Sequence, residues 1–263
     1  MTVVSPSTYL AVNTHGDVAH ADVEYARKRV NDVVRRAGGR ALFARVKLTK
    51  LPDLAVPRPA VVEANIDLKG RLIRAQVARP TMREAIDEVH DRLRDRMRRV
   101  ERDWEAVRGA RPLARTREWR HSAAPTERAP YFPRPIEERE IIRHKTFSLA
   151  RMTVDEAAFD MEMLDYTFHL FVEDATGLDS VLYRTETGYR LAQVEKPALD
   201  IARGATAVTV SPRPAALLTL EEATFRLNET GLAFVFFRDD VTHRGCVLYH
   251  RYDGHYGLIS PAG

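Results

Sequence analysis

Arginine carries most of the chemical potential of this 263-residue chain. Arg83, Arg92, Arg94, Arg96, Arg98, Arg99 and Arg102 lie off an apolar stripe made by Ile86, Val89, Leu93, Met97, Val100 and Trp104. Upstream, Arg27, Lys28, Arg29, Arg35 and Arg36 form a second basic cluster, and Arg45, Lys47, Lys50, Arg71, Arg74 and Arg79 punctuate the segments between. A guanidinium keeps its charge at any relevant pH and grips phosphate through two parallel hydrogen bonds. Charge is divided unevenly along the chain. Residues 1–120 hold 26 Lys+Arg against 16 Asp+Glu, a net of +10, and residues 121–263 hold 15 against 21, a net of −6, which the total of +4 conceals. The basic part is expected to face a polyanion. A solvated helix face competes with that reading, because residues 81–108 hold eight Arg and eight acids able to pair at helical spacing. The net charge of the whole region favours nucleic acid.

Other reactive types are sparse. Asp87, His90 and Asp91 share a helical neighbourhood, but a metal centre needs ligands from further elements, so they read as an exposed polar face. Cys246 is the sole cysteine, which excludes disulfides and cysteine-based zinc sites and suits a small core residue. Phosphate loop, nucleophile elbow and zinc-protease motifs are missing. The expectation is a non-enzyme with no cofactor, no metal and no small-molecule substrate. No run approaches the ~18 apolar residues of a membrane span, and Met1 to Leu10 lack a basic segment followed by an apolar core. No membrane partner and a cytoplasmic location are expected.

The elements that must position these arginines follow from periodicity. Residues 9–14 suit a short strand. Val23, Ala26, Val30, Val33 and Ala37 recur at helical spacing until Gly38-Gly39 stops them. Leu42, Ala44, Val46 and Leu48 alternate with Phe43, Arg45, Lys47 and Thr49, a strand with one wet face. Val62, Ala64, Ile66 and Leu68, then Ile73, Ala75 and Val77, flank Lys69-Gly70 as a hairpin. Thr81-Met82-Arg83-Glu84 is a capping box opening a helix to about Val107. Residues 1–108 therefore read as a β-α-β-β-β-α domain. Residues 109–139, rich in Pro and Arg, read as a mobile linker in which Trp119, Tyr131 and Phe132 are candidates for docking.

The remainder is duplicated. Thr153–Gly188 aligns with Thr219–Gly254 at a constant offset of 66, with identity at twelve of 36 positions. Thr153-x-x-Glu156 and Thr219-x-x-Glu222 open the copies as capping boxes. One copy spans 140–197 and the other 198–263. A unit of about 50 residues buries too little to be stable alone, so the paired aromatics Phe168/Phe234, Phe171/Phe237 and Tyr183/Tyr249 are expected to form an interface between copies. The fold class is α+β, its two small α/β repeats packed as an intramolecular pseudo-dimer.

The run Ile141-Ile142-Arg143-His144-Lys145-Thr146-Phe147-Ser148-Leu149-Ala150-Arg151-Met152-Thr153-Val154-Asp155-Glu156-Ala157 resembles the opening of the carboxy-terminal domain of long-form ribosome hibernation promoting factors. Met161-Glu162-Met163-Leu164, Val181-Leu182-Tyr183-Arg184 and Asp253-Gly254-His255-Tyr256-Gly257-Leu258-Ile259 continue the pattern. Ala85-Ile86-Asp87 before an Arg-rich helix is similar to the family's amino-terminal domain, the sigma-54 modulation or ribosomal subunit interface protein, although Arg83 stands where that family often has Tyr. The resemblance implies a ribosome inactivator whose first domain lodges in the small subunit where mRNA and tRNA lie, blocking translation and preserving idle ribosomes. Arg27, Lys28, Arg29, Arg92, Arg94, Arg96 and Arg99, joined by Arg35, Lys47, Arg74, Arg79 and Arg83, become the rRNA-contact candidates. The family's usual carboxy-terminal domain is single and joins two ribosomes by dimerising. Here two copies are present, as in actinobacterial dormancy-associated members, and the second has lost the Arg-x-Lys-x-Phe opening and carries Leu227-Asn228-Glu229-Thr230 in place of Met161-Glu162-Met163-Leu164. The expectation is a chain that pairs with itself, is monomeric off the ribosome and does not bridge two ribosomes. A general RNA-binding regulator or RNA chaperone, its acidic half recruiting a protein, is the alternative.

Overall fold

The computed structural model describes residues 9–52, 57–108, 134–185, 188–196, 206–251 and 253–262, with the backbone alone for 103–108. Trp104 and the linker aromatics Trp119, Tyr131 and Phe132 lie outside the described side chains. The chain divides into two compact units, Met1–Ala129 with Met163–Asp165, and Pro130–Glu162 with Tyr166–Gly263.

The first unit runs β1 (Tyr9–His15), α1 (His20–Arg36), β2 (Ala41–Lys50), β3 (Ala60–Leu68), β4 (Arg71–Arg79) and α2 (Met82–Arg108). Its sheet has the order β1-β2-β3-β4, with β1 parallel to β2 and the other pairs antiparallel. Lys69 and Gly70 take positive φ of 53° and 90° and close β3 onto β4, a backbone that a two-residue hairpin turn demands. The capping box at α2 is formed, with Glu84 N–H donating to the Thr81 hydroxyl and Thr81 N–H to the Glu84 carboxylate. Ala44, Val46, Leu48, Ala64, Ile66, Ile73 and Ala75 are buried, as are Val30 and Val33 of α1 and Ile86, Val89, Leu93, Met97 and Val100 of α2. Leu42 departs from the expected alternation. The ladder shifts register between Ala41 and Phe43, so Ala41 takes the buried position and Leu42 is left exposed at a bulge.

The second unit begins with a single 3-10 turn at Ile136–Glu138. It continues through β5 (Ile141–Phe147), β6 (Arg151–Met152), α3 (Val154–Met163), β7 (Phe168–Glu173), β8 (Asp179–Thr185) and β9 (Gly188–Gln193). The second copy supplies β10 (Val208–Val210), β11 (Ala216–Leu218), α4 (Leu220–Thr230), β12 (Phe234–Asp239), β13 (Gly245–His250) and β14 (Tyr256–Pro261). Two five-stranded sheets result, ordered β10-β9-β8-β7-β6 and β11-β12-β13-β14-β5. The copies exchange strands. β5, from the start of the first copy, pairs parallel with β14 of the second, and β10, from the start of the second, pairs parallel with β9 of the first. Chain order thus separates the copies at 197/198, but each sheet takes its last strand from across that boundary.

One face of the second copy's sheet packs against its helix, where Val235, Phe237, Cys246, Leu248, Tyr256 and Leu258 meet Ala223 and Leu227. The opposite faces of both sheets meet each other around Phe168, Leu170, Val181 and Val247, with Tyr183, Phe234, Phe236 and Tyr249 packed against them. Asp179 crosses the same seam. It accepts from Arg244 through both carboxylate oxygens, at 2.8 and 3.1 Å, and from the Gly245 amide at 2.8 Å. Gly245 is required there, because an added Cβ would come within 2.8 Å of the Asp179 Cβ. Asp179→Ala leaves the buried Gly245 amide unpaired while Arg244, its side chain 39% exposed, stays solvated, and the expected cost in equilibrium denaturation of the whole chain is about 1–3 kcal/mol.

Candidate nucleic-acid interface

The two helices of the first unit are laced together by polar contacts. The Tyr25 hydroxyl donates to the Asp87 carboxylate at 2.7 Å, and Arg29 Nε reaches the same carboxylate at 2.9 Å. His90, only 3% exposed, places its ring nitrogens 3.3 Å from Asp32 and 3.0 Å from Asp91. Of Asp87, His90 and Asp91, Asp91 is exposed as expected, whereas His90 is buried and Asp87 is half-buried, and these two tie α2 to α1. The hydrogen bond from His90 and the nearby Arg36 and Arg35 hold the Asp32 carboxyl below the ordinary carboxylate range. Among the described residues, no group of His, Cys, Asp or Glu is arranged to hold a metal ion.

A second group of basic residues fastens α2 to β4, the edge strand. Arg92 and Arg96 donate to the carbonyls of Gln76 and Arg74, at 3.3 and 2.6 Å, and so satisfy edge acceptors that no further strand meets among the described residues. Arg92 and Arg79 both pair with Glu88. Arg74 binds Glu63 and Gln76 at 3.1 and 2.7 Å. Burial pushes the Glu63 carboxyl up, but Arg74, Asn65 and Lys47 more than offset this and hold it below its usual range.

Of the remaining candidates, only some look outward. Lys28 and Lys47 are exposed, and the Arg83 and Arg35 side chains keep 66% and 77% of their surface. Arg27 meets only the exposed Glu24 among the described ion pairs, at 3.5 Å. Arg83 also lies over the Tyr25 ring at 5.1 Å. Arg94 shares the side of α2 that carries His90 and Glu101, towards α1, and its Nε is buried without a hydrogen-bond partner in the described structure. Arg29 and Arg99 are half-buried. The twelve candidates thus divide: Arg74, Arg79, Arg92 and Arg96 spend donors on the protein itself, Arg29, Arg94 and Arg99 are half-buried, Lys47 is exposed on β2, and Arg27, Lys28, Arg83 and Arg35 form a presenting set along the helix pair.

In the second unit the structure brings four of six aromatic candidates together. Phe168 and Phe234 have ring centroids 4.7 Å apart, Tyr183 meets Phe234 edge-on at 5.4 Å, and Tyr249 lies 5.6 Å from Phe168. Phe171 and Phe237 do not join them. Strand residues alternate faces, so Phe237 points into the core beneath its own helix and Phe171, fully buried, turns away from Phe168 and Leu170. Glu162 accepts from the Tyr189 hydroxyl at 2.6 Å and from Arg184 at 3.2 Å. Its counterpart Asn228 accepts from Tyr256 at 2.5 Å, and because His250 stands where Arg184 would, the guanidinium comes instead from Arg139 at 3.0 Å. Burial pushes the Cys246 thiol up to about 12, which removes the thiolate a nucleophile needs. Burial also lowers His169 to about 4.

Sequence reasoning missed the division of labour among the arginines, since both roles carry the same residue type at the same spacing. It also read His90 as part of a surface cluster and missed its burial, whose signal was a histidine beside the apolar stripe at Val89.

Residues 12–103 match the family described as sigma 54 modulation protein / S30EA ribosomal protein, and residues 136–191 and 207–258 each match the C terminus of the sigma 54 modulation/S30EA ribosomal protein. A dormancy associated translation inhibitor of Mycobacterium tuberculosis is 40% identical over 131 residues, covering 47% of this chain and 48% of that protein. A ribosome hibernation promotion factor of Deinococcus radiodurans is 29% identical over 154 residues, covering 56% of this chain and 77% of that protein. The chain spans about half the length of the Mycobacterium relative it matches first. Among solved structures, the Thermus thermophilus Protein Y N-terminal domain is similar at 23% identity and a TM-score of 0.30, over 35% of this chain and 99% of that one.

Two outcomes separate the arginine groups. Arg92→Ala or Arg96→Ala is expected to lower unfolding free energy by about 1–2 kcal/mol, whereas Lys28→Ala or Arg83→Ala stays within about 0.5 kcal/mol, as read by denaturant titration. Acidification tests His169. Its folded pKa lies below its unfolded value, so the unfolded chain takes up the proton first and stability falls as pH drops from 6.5 towards 4. His169→Phe should flatten that part of the melting-temperature profile.

Proposed function

The chain belongs to the sigma 54 modulation/S30EA ribosomal protein family, and from that membership we propose that it is a cytoplasmic ribosome hibernation factor that binds the small subunit and silences translation. One observation carries this reading: the unit that matches the family's amino-terminal domain presents outward arginines and Lys28 along its helix pair. A surface of this kind recognises folded RNA by backbone and shape, which suits a groove in a subunit where mRNA and tRNA would lie. The names of the relatives, a translation inhibitor and a ribosome hibernation promotion factor, support the same role. Binding alone performs it, since occupying the channel excludes mRNA and tRNA without any bond being made or broken.

The exchanged strands support a further part of the proposal. The carboxy-terminal copies pair within one chain, so the surface that a single-copy protein would offer to a second molecule is already covered. The factor then acts on single ribosomes, as a monomer off the ribosome.

Co-sedimentation with purified small subunits tests the binding. Combined Lys28→Glu, Arg83→Glu and Arg35→Glu should lower affinity at least about tenfold and flatten its salt dependence, with the melting temperature retained. Wild-type affinity in that variant would remove the helix pair from the contact. Gradients of whole ribosomes with saturating protein should show no ribosome-dimer peak.

A further inference from the structure

The helices cover one face of the first unit's sheet, and the residues that alternate with Ala44, Val46 and Leu48 occupy the other. On that open face, β1 and β2 set Tyr9 directly beside Phe43 in the parallel ladder. The two rings lie nearly parallel, 16° apart with centroids 5.8 Å from each other, and Tyr9 is 67% exposed. Arg45, the next residue along the same face, holds its guanidinium 5.6 Å from the Phe43 ring centre. Lys47 follows, and both cations are exposed. Flat rings are thus followed by cations at a two-residue step of about 6.8 Å, comparable with the reach of one nucleotide of an extended strand.

We propose that Tyr9, Phe43, Arg45 and Lys47 form a single-stranded RNA platform, on which unpaired bases stack against the two rings and their phosphates meet the two cations. The chemistry is that of sheet-borne stacking sites, where aromatic faces accept any base and neighbouring charge tracks the backbone. Charge complementarity selects RNA as the occupant: an exposed Tyr9 beside a half-buried Phe43, flanked by the positive charge of Arg45 and Lys47, suits a ligand that is aromatic and anionic in the same repeat unit. This site deepens the proposed ribosome-binding role and rests on it, adding contact with unpaired bases to the backbone recognition of the helix pair.

The test uses the whole chain and fluorescence anisotropy with two labelled probes of equal length, an oligoadenylate and an abasic ribose-phosphate oligomer. Wild type should prefer the oligoadenylate by at least about fivefold, the lower end of what one stacked base contributes. Tyr9→Leu and Phe43→Leu, which keep apolar bulk but remove the ring, should bring that preference towards unity with abasic affinity unchanged. Phe43→Tyr, which keeps a ring, should retain it even if the leucine variants melt early. Arg45→Glu should weaken both probes together. Equal binding of the two probes by wild type, or an intact preference in both leucine variants, would overturn the platform and leave the rings as a cross-strand contact only. Pelleting of the wild type with small subunits is read in parallel. Failure there strikes the ribosome-binding role, whereas pelleting without probe preference strikes the platform alone.

Discussion

A small sheet backed by one helix buries one face and leaves the other to water, along with two edges of unpaired amides and carbonyls. The carboxy-terminal half of this chain is organised around that constraint. Duplication supplies a second sheet of matching shape, and the uncovered faces close on each other around Phe168, Phe234, Val181 and Val247. Strand exchange then caps one edge of each sheet, because β5 lies along β14 and β10 along β9. Neither copy completes its own sheet. The two lock into one module whose seam also carries the pair of the buried Asp179 with the half-exposed Arg244.

That arrangement relaxes symmetry. In a dimer of identical chains every interface residue meets its own image, whereas here the two sides are free to differ. Asp179 faces Gly245 at equivalent positions of the two copies, and Glu162 is matched by Asn228, each with its own guanidinium partner, Arg184 and Arg139. The first unit answers a different demand, which is to keep many arginines on a small fold without mutual repulsion. It commits some to the edge of β4 and to Glu88, neutralising them locally, and leaves the helix pair and the open sheet face to present the rest. Net charge is therefore a poor measure of what the surface offers, and the placement of each partner decides it.

Much of this was legible in the chain. Capping boxes at Thr81, Thr153 and Thr219, the Lys69-Gly70 turn and the apolar stripes depend on neighbours close in sequence, and they formed where the spacing predicted. The offset of 66 announced the duplication and the pairing of Phe168, Tyr183, Phe234 and Tyr249. What escaped was set by distant partners. β5 and β10 look like ordinary first strands, and nothing local states that each joins the other copy's sheet. Alternation alone decides that Phe237 faces its own helix, but the aromatic pairing had suggested otherwise. Leu42 followed the pattern and was displaced by a bulge that depends on β3. His90 and the arginines of α2 acquired their roles only when α1 and β4 came to lie beside them.

The central claim is that the strands are exchanged within one chain. Sedimentation equilibrium over a broad range of protein concentrations measures it directly. The account predicts a single species with the chain mass of 29.9 kDa at every concentration. A species of twice that mass, growing with concentration at the expense of the monomer, would place the exchange between chains and contradict it.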